Sequence, residues 1–292
     1  MIDFLKYRYI CASFSLLMIL TFAGVFTYKR STTGQAFTYS VDFTGGTQVL
    51  FKFDKPVSSA EIIDTLEKNG WSGAITREFG KNEVLVRVKE FSGDVAGLGE
   101  KIRTVLAKNF NTQVSILQID SIGQGVGEAL TWNSIKAVTI GLILMLIYIA
   151  WRFWSIGYAL GAVIALFHDA IAILLFFLLF DKEISINVIG AILAVLGYSI
   201  NDTIVIFTQI RQNIKAMPNV AHDQVVNISL NQTLRRTILT SVSTALIVLA
   251  LIILGGEALR DLSTALLIGI IFGTYSSIYI ASPVMLLFNK EK

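Results

Sequence analysis

Six stretches of the chain are apolar at almost every position: about 10–28, 133–151, 157–180, 184–207, 238–254 and 262–288. A helix needs roughly 20 such residues to cross a hydrocarbon core about 30 Å thick, so each stretch is expected to span a membrane. The first run is longer than the roughly 7–15 residues of a signal-peptide core, and no A-x-A site follows it, so an uncleaved anchor is expected. Residues 29–131 follow a different rule, with short apolar runs broken by turns and caps. Gln48–Phe53 reads as a strand, and Ser58-Ser-Ala-Glu61 as a capping box opening a helix that Gly70 ends. Ala74–Phe79 and Glu83–Val88 read as strands joined by a turn at Gly80-Lys-Asn82. Val95–Asn109 is helical, with Leu98, Ile102, Val105 and Leu106 on one face, and Val114–Ile119 closes as a strand. The order βαββαβ is the ferredoxin-like pattern.

The expected fold class is therefore an α-helical polytopic membrane protein with one α+β domain outside the cytoplasm. Residues 1–28 form a short N-terminus and the first span, 29–131 the extracytoplasmic domain, and 132–292 a five-helix membrane region. Within the last, the loop 211–236 carries Val225, Ile228 and Leu234 among polar residues and is expected to lie on the membrane surface as an amphipathic helix.

Composition agrees. The 292 residues are 54% hydrophobic and 15% charged, against about 25% charged in soluble domains. Residues 29–131 hold twelve Lys and Arg against twelve Asp and Glu. That balance leaves no basic patch for nucleic acid. A single cysteine, Cys11, rules out an internal disulfide. Short-loop charges fix the expected orientation. Lys6, Arg8, Arg152, Arg211, Lys215, Arg235, Arg236, Lys290 and Lys292 fall on one side, Lys182 and Arg260 on the other. The larger set belongs in the cytoplasm, with both termini.

Carboxylates inside such spans cost about 2.5–3.5 kcal/mol on insertion scales, and two occur. Asp202 lies in the fourth span nine residues before Arg211, roughly 13 Å along a helix, with Asn201 beside it and Ser199 one turn earlier. Helix packing needs only Ser, Thr or Asn; an acid adds a proton that can leave. Asp169 follows His168 in the third span, where a proton relay and a neutral link between helices are both open. Of Arg235 and Arg236, which open the fifth span, one is expected to mark the cytoplasmic edge and the other to reach a carboxylate along its stem. Gly269, Gly273, Ser276 and Ser277 in the sixth span suit close helix packing. Asp42-Phe-Thr-Gly-Gly-Thr47 reads as an Asx-type turn into the first strand. Its likeness to a phosphorylated Asp-Lys-Thr-Gly-Thr lacks the lysine, and the chain holds no P-loop. Nothing in the pattern calls for an enzyme, a cofactor or a metal.

Five motifs in register with the spans carry a family resemblance: Asp42–Thr47, Ala165-Leu-Phe-His-Asp169, Gly197-Tyr-Ser-Ile-Asn-Asp-Thr203, Gln232-Thr-Leu-Arg-Arg-Thr237 with Thr240-Ser241, and Gly269 through Ala281. Together they resemble the SecD/SecF family of bacterial protein-export subunits, within the resistance-nodulation-division superfamily. The resemblance implies a subunit paired with SecD beside the SecYEG channel, with YajC- and YidC-type accessory proteins. It would use the proton gradient to help export unfolded preproteins across the inner membrane. It also implies that Asp202 takes part in proton transfer, that Arg236 is the functional arginine, and that Asp42, Gly45 and Gly46 link membrane and outer domain. Two departures stand out. Thr208-Gln-Ile-Arg-Gln-Asn213 lacks two carboxylates common in relatives, which puts any obligatory role for them in doubt. Ile122-Gly-Gln-Gly-Val-Gly127 lacks a proline and predicts a flexible approach to the second span. A small-molecule exporter of the same superfamily would need two large outer loops where this chain has one, and a purely structural partner of SecD would be indifferent to Asp202.

Overall fold

A computed structural model describes residues 1–79 and 82–288. The turn residues Gly80 and Lys81, and Lys290 and Lys292, lie outside the described residues. The chain divides into two units, Met1–Thr38 with Lys136–Lys292, and Tyr39–Ile135.

In the second unit, β1 (Gly46–Phe53), α1 (Ser59–Lys68), β2 (Ile75–Phe79), β3 (Glu83–Val88), α2 (Val95–Phe110) and β4 (Val114–Ile122) follow in order. The sheet runs β2-β3-β1-β4, with every neighbour antiparallel. This is the ferredoxin-like arrangement. Alternate residues of β1 (Val49, Phe51 and Phe53) point into one core with Val84, Val86 and Val88 of β3. Ile62 and Leu66 of α1, and Leu98, Ile102 and Leu106 of α2, cover it. The register follows from this period of two, because a slip of one residue would turn Phe51 to water.

Three local expectations are corrected. Ser58 precedes α1, but its side chain makes no capping bond; the Ser59 amide instead reaches the Glu78 carboxylate at 3.4 Å. A strand neighbour has replaced the box. Asp42 is not the cap of its turn. Ser40 caps the single helical turn Val41–Thr44, and its hydroxyl bonds the Asp42 carboxylate at 2.8 Å. The segment after Ile122 is helical from Gln124 to Phe153 rather than loose. A Cβ at Gly127 would stand 3.0 Å from the Phe43 carbonyl oxygen, so that glycine seats against the Asp42–Gly46 turn.

In the first unit, among the described residues, six helices are long and apolar enough to cross a membrane: Leu5–Thr33, Gly125–Phe153, Ile156–Leu179, Ile186–Ala216, His222–Leu254 and Leu259–Phe288. The second begins within the preceding unit. The third, fourth and sixth spans bury half or more of their most apolar stretch, whereas the first, second and fifth bury less than a fifth of theirs. The former therefore make the inner layer. At the end of the bundle away from the N-terminus, Lys29 pairs with Asp181, and Lys182 with Asp261 at 3.0 Å.

The amphipathic surface helix expected within 211–236 does not exist as a separate element. The fourth helix runs to Ala216 and the fifth starts at His222. Thirty-three residues give the fifth a length of about 50 Å, well beyond the hydrocarbon core. The two ends pack as a hairpin. Asn213 Nδ2 donates to Ser229 Oγ at 2.8 Å and to Gln232 Oε1 at 2.7 Å, while Val225, Val226 and Leu230 are buried. The polar residues that suggested a water-facing surface bond helix to helix.

Candidate functional site

The sixth span is where the inner layer opens to polar groups. Gly269 and Gly273 let it approach the fourth. A Cβ at Gly269 would come within 2.4 Å of Val195, and one at Gly273 within 3.0 Å of Ser199. One turn further the helix widens into a π turn, Ser277–Ala281. The Ala281 carbonyl oxygen of that turn fits against Gly161 of the third span, where a Cβ would stand 2.5 Å away. Such π turns release backbone from its usual pairing and recur at functional positions.

Asp169 lies at the meeting point of the third, fourth and sixth spans and is fully buried. Ser199 Oγ donates to Asp169 Oδ2 at 2.6 Å and Ser276 Oγ to the same oxygen at 2.9 Å. His168 Nδ1 lies 3.3 Å from Oδ1. Polar contact continues along the same seam: Thr203 Oγ1 and Ser277 Oγ are 2.8 Å apart, and Ser277 Oγ donates to the Ser199 carbonyl at 3.4 Å. A buried carboxyl with this many donors is held in one position.

Asp202 is on a different seam, between the fourth and fifth spans. It is 6% exposed, and its Oδ2 has no hydrogen-bond partner among the described residues. Arg236 and Ser241 of the fifth span are the groups whose electrostatics reach it. Ser241 Oγ is itself 2.7 Å from Thr274 Oγ1 of the sixth span. An unsatisfied buried polar atom costs about 1–3 kcal/mol. Asp202 is thus the acid left open to a change of partner, and Asp169 the acid already satisfied.

The sequence candidates separate accordingly. His168 and Asp169 share one site, and Asp202 lies at another, within electrostatic reach of an exposed Arg236. Asn201 is exposed and joins neither. Ser276 and Ser277, expected to serve packing, and Thr203, to which the sequence assigns no role of its own, are all hydrogen-bond partners in the Asp169 seam. The signal was present in the spacing, since Ser276 follows Gly273 by one helical turn and so occupies the face where the helices approach.

Asp42, Gly45 and Gly46 are elsewhere, at the start of β1. Gly45 has φ +71° and Gly46 φ +106°, both in the left-handed region. A Cβ at Gly46 would stand 2.5 Å from the Val88 carbonyl oxygen. The pair is required by backbone geometry. Nearby, Asp120 is pushed above the usual carboxylate range, first by burial and then by the neighbouring Asp42 charge. Among the described residues, no group of three His, Cys, Asp or Glu stands close enough to hold a metal ion.

Comparison with known proteins extends this reading. Residues 102–291 match the family model described as protein export membrane protein SecD/SecF, C-terminal, and residues 31–57 match the SecD/SecF GG motif. The chain is 36% identical to protein translocase subunit SecF of Thermodesulfovibrio yellowstonii, over 99% of its own length and 95% of that protein. It is 33% identical to SecF of Escherichia coli O157:H7, over 97% and 87%. It also resembles the crystal structure of SecDF, a translocon-associated membrane protein from Thermus thermophilus, with TM-score 0.88 and 33% identity, covering 99% of this chain and 39% of that one. With six membrane-spanning helices, a ferredoxin-like domain and a near full-length match, the chain belongs to the SecD/SecF family of protein-export membrane proteins.

Proposed function

We propose that this chain is an accessory subunit of the Sec protein translocase that works with SecD to couple the proton gradient to late steps of preprotein export. The observation that carries the reading is the buried Asp202 carboxyl, one oxygen unpartnered, on a seam within electrostatic reach of Arg236. Desolvation favours a neutral acid, and an approaching cation or water favours the carboxylate. A helix movement that alternates these surroundings loads and unloads a proton. The Asp169 cluster keeps the third, fourth and sixth spans in register while the fourth–fifth seam changes, with His168 as a second proton-bearing group beside it.

The partnership with SecD is supported by the Thermus thermophilus relative named SecDF, 36% identical over 98% of this chain and 38% of that longer protein. SecYEG and YajC- or YidC-type proteins complete the assembly, and unfolded preproteins are the cargo. The Lys and Arg bias puts both termini and the fourth–fifth hairpin in the cytoplasm of a cell with this chain in its inner membrane. Residues 29–131 then face outward, where a domain of this size can grip an emerging chain.

The test uses membrane vesicles carrying the complete SecDF–channel assembly. Asp202→Asn should abolish the gradient-dependent part of export and leave the ATP-driven part and assembly intact. Unchanged gradient dependence in that variant would remove Asp202 from the mechanism.

A further inference from the structure

A groove of about 360 Å³ runs between the first span and the third and sixth. Its first-span wall extends from Arg8 to Ile19. Eleven residues of helix correspond to about 16 Å, which is close to half of a hydrocarbon core about 30 Å thick. Ala12, Leu16, Phe167 and Pro283 are among the apolar side chains that line it.

The polar groups occupy two levels. At the mouth, Arg8 and Asp223 pair at 3.0 Å, their side chains 33% and 54% exposed, so each keeps bonding capacity toward the membrane surface. Arg8 opens the first span's α-helix and Asp223 stands in the first turn of the fifth. In the interior stands His168, only 2% exposed, whose Nε2 has no partner among the described residues. His168 Nδ1 lies 3.3 Å from Asp169 Oδ1, and the ring lines the groove.

We propose that this groove binds one phospholipid with a zwitterionic headgroup, of the phosphatidylethanolamine class, from the leaflet on the side of the chain's N-terminus. The slot's depth fits one acyl chain in one leaflet, and its walls are hydrocarbon. Its mouth offers one cation and one anion side by side. The lipid phosphate meets Arg8, which Tyr9 also contacts, and the lipid amine meets Asp223, forming a four-charge ring around the existing pair. An anionic headgroup would find Asp223 opposing it. The acyl chain lies against His168 and keeps water from that ring, so a structural lipid seals the back of the Asp169 cluster. This site does not depend on Asp202 carrying protons.

The test reads lipid retention. The full complex is placed in bilayers of equal phosphatidylethanolamine and phosphatidylglycerol, extracted gently and analysed by native mass spectrometry. The wild-type chain should retain one phosphatidylethanolamine in several-fold preference over phosphatidylglycerol. Ala12→Phe, which fills the slot, should lose it. Asp223→Asn, which leaves Arg8 unopposed, should shift the preference toward phosphatidylglycerol. Equal retention by wild type and Ala12→Phe would overturn the site, and an unchanged preference in Asp223→Asn would overturn the headgroup assignment. A second measurement separates lipid from water. In a Cys11→Ser background, Ala12→Cys, at an exposed position of the groove wall, should resist a membrane-impermeant thiol reagent applied from either face. Rapid labelling would show an aqueous cleft and overturn the proposal.

Discussion

Asp120 shows how a single side chain can be set against its own fold. Burial and the charge of Asp42 raise its pKa above the ordinary carboxylate value. The folded domain therefore binds this proton more tightly than the unfolded chain does. Its penalty is absent below the unfolded pKa and grows as pH rises through the folded one. Asp120→Asn should thus raise the melting temperature of the ferredoxin-like domain at pH 7 to 8 and change it little below pH ~3.5, measured by circular dichroism across that range. A second residue-scale prediction concerns Asp169. Ser199→Ala and Ser276→Ala each remove one donor from Oδ2, so each should cost about 1–3 kcal/mol, read as a lower thermal midpoint of the complex in detergent. The acids themselves were legible in the sequence because charge is rare in a span. Which donors serve which acid was not, because Ser199, Thr203, Ser276 and Ser277 look alike until the helices meet. Asn201 misled for the same reason: adjacency in sequence puts it about 100° around the helix from Asp202.

Elements explain the other departures. The helix pair at Gly269 and Val195 leaves no room for a methyl group, and Val is stiff at χ1. Gly269→Ala should therefore destabilise the complex by about 1–3 kcal/mol, and Val195→Ala in the same chain should recover most of that loss in a double-mutant cycle. The ferredoxin-like order was readable because alternation in β1 and helical spacing in α2 are local signals. The end of the fifth helix was not. Asn213, Ser229 and Gln232 have the composition of a wet surface, yet they satisfy one another between two helices. Polar composition cannot distinguish a face turned to water from one turned to a polar neighbour. The π turn at Ser277–Ala281 likewise left no periodic trace, since one widened turn hardly disturbs an apolar run.

At the scale of the molecule, two acids in one membrane unit have been given different surroundings. Asp169 is locked by serines of two neighbouring spans and tolerates no exchange of partners without loss of packing. Among the described residues, Asp202 lacks a partner for one oxygen, and the fifth span beside it is mostly exposed. On the function proposed above, that contrast assigns the fourth–fifth seam as the working part and the third–fourth–sixth seam as its frame. Infrared difference spectroscopy on the reconstituted SecDF complex tests this most directly. Imposing and releasing a proton gradient should produce a reversible protonated-carboxyl band that disappears in Asp202→Asn and persists in Ser276→Ala. A carboxyl that stays charged, or stays neutral, throughout the imposed cycle would contradict the account.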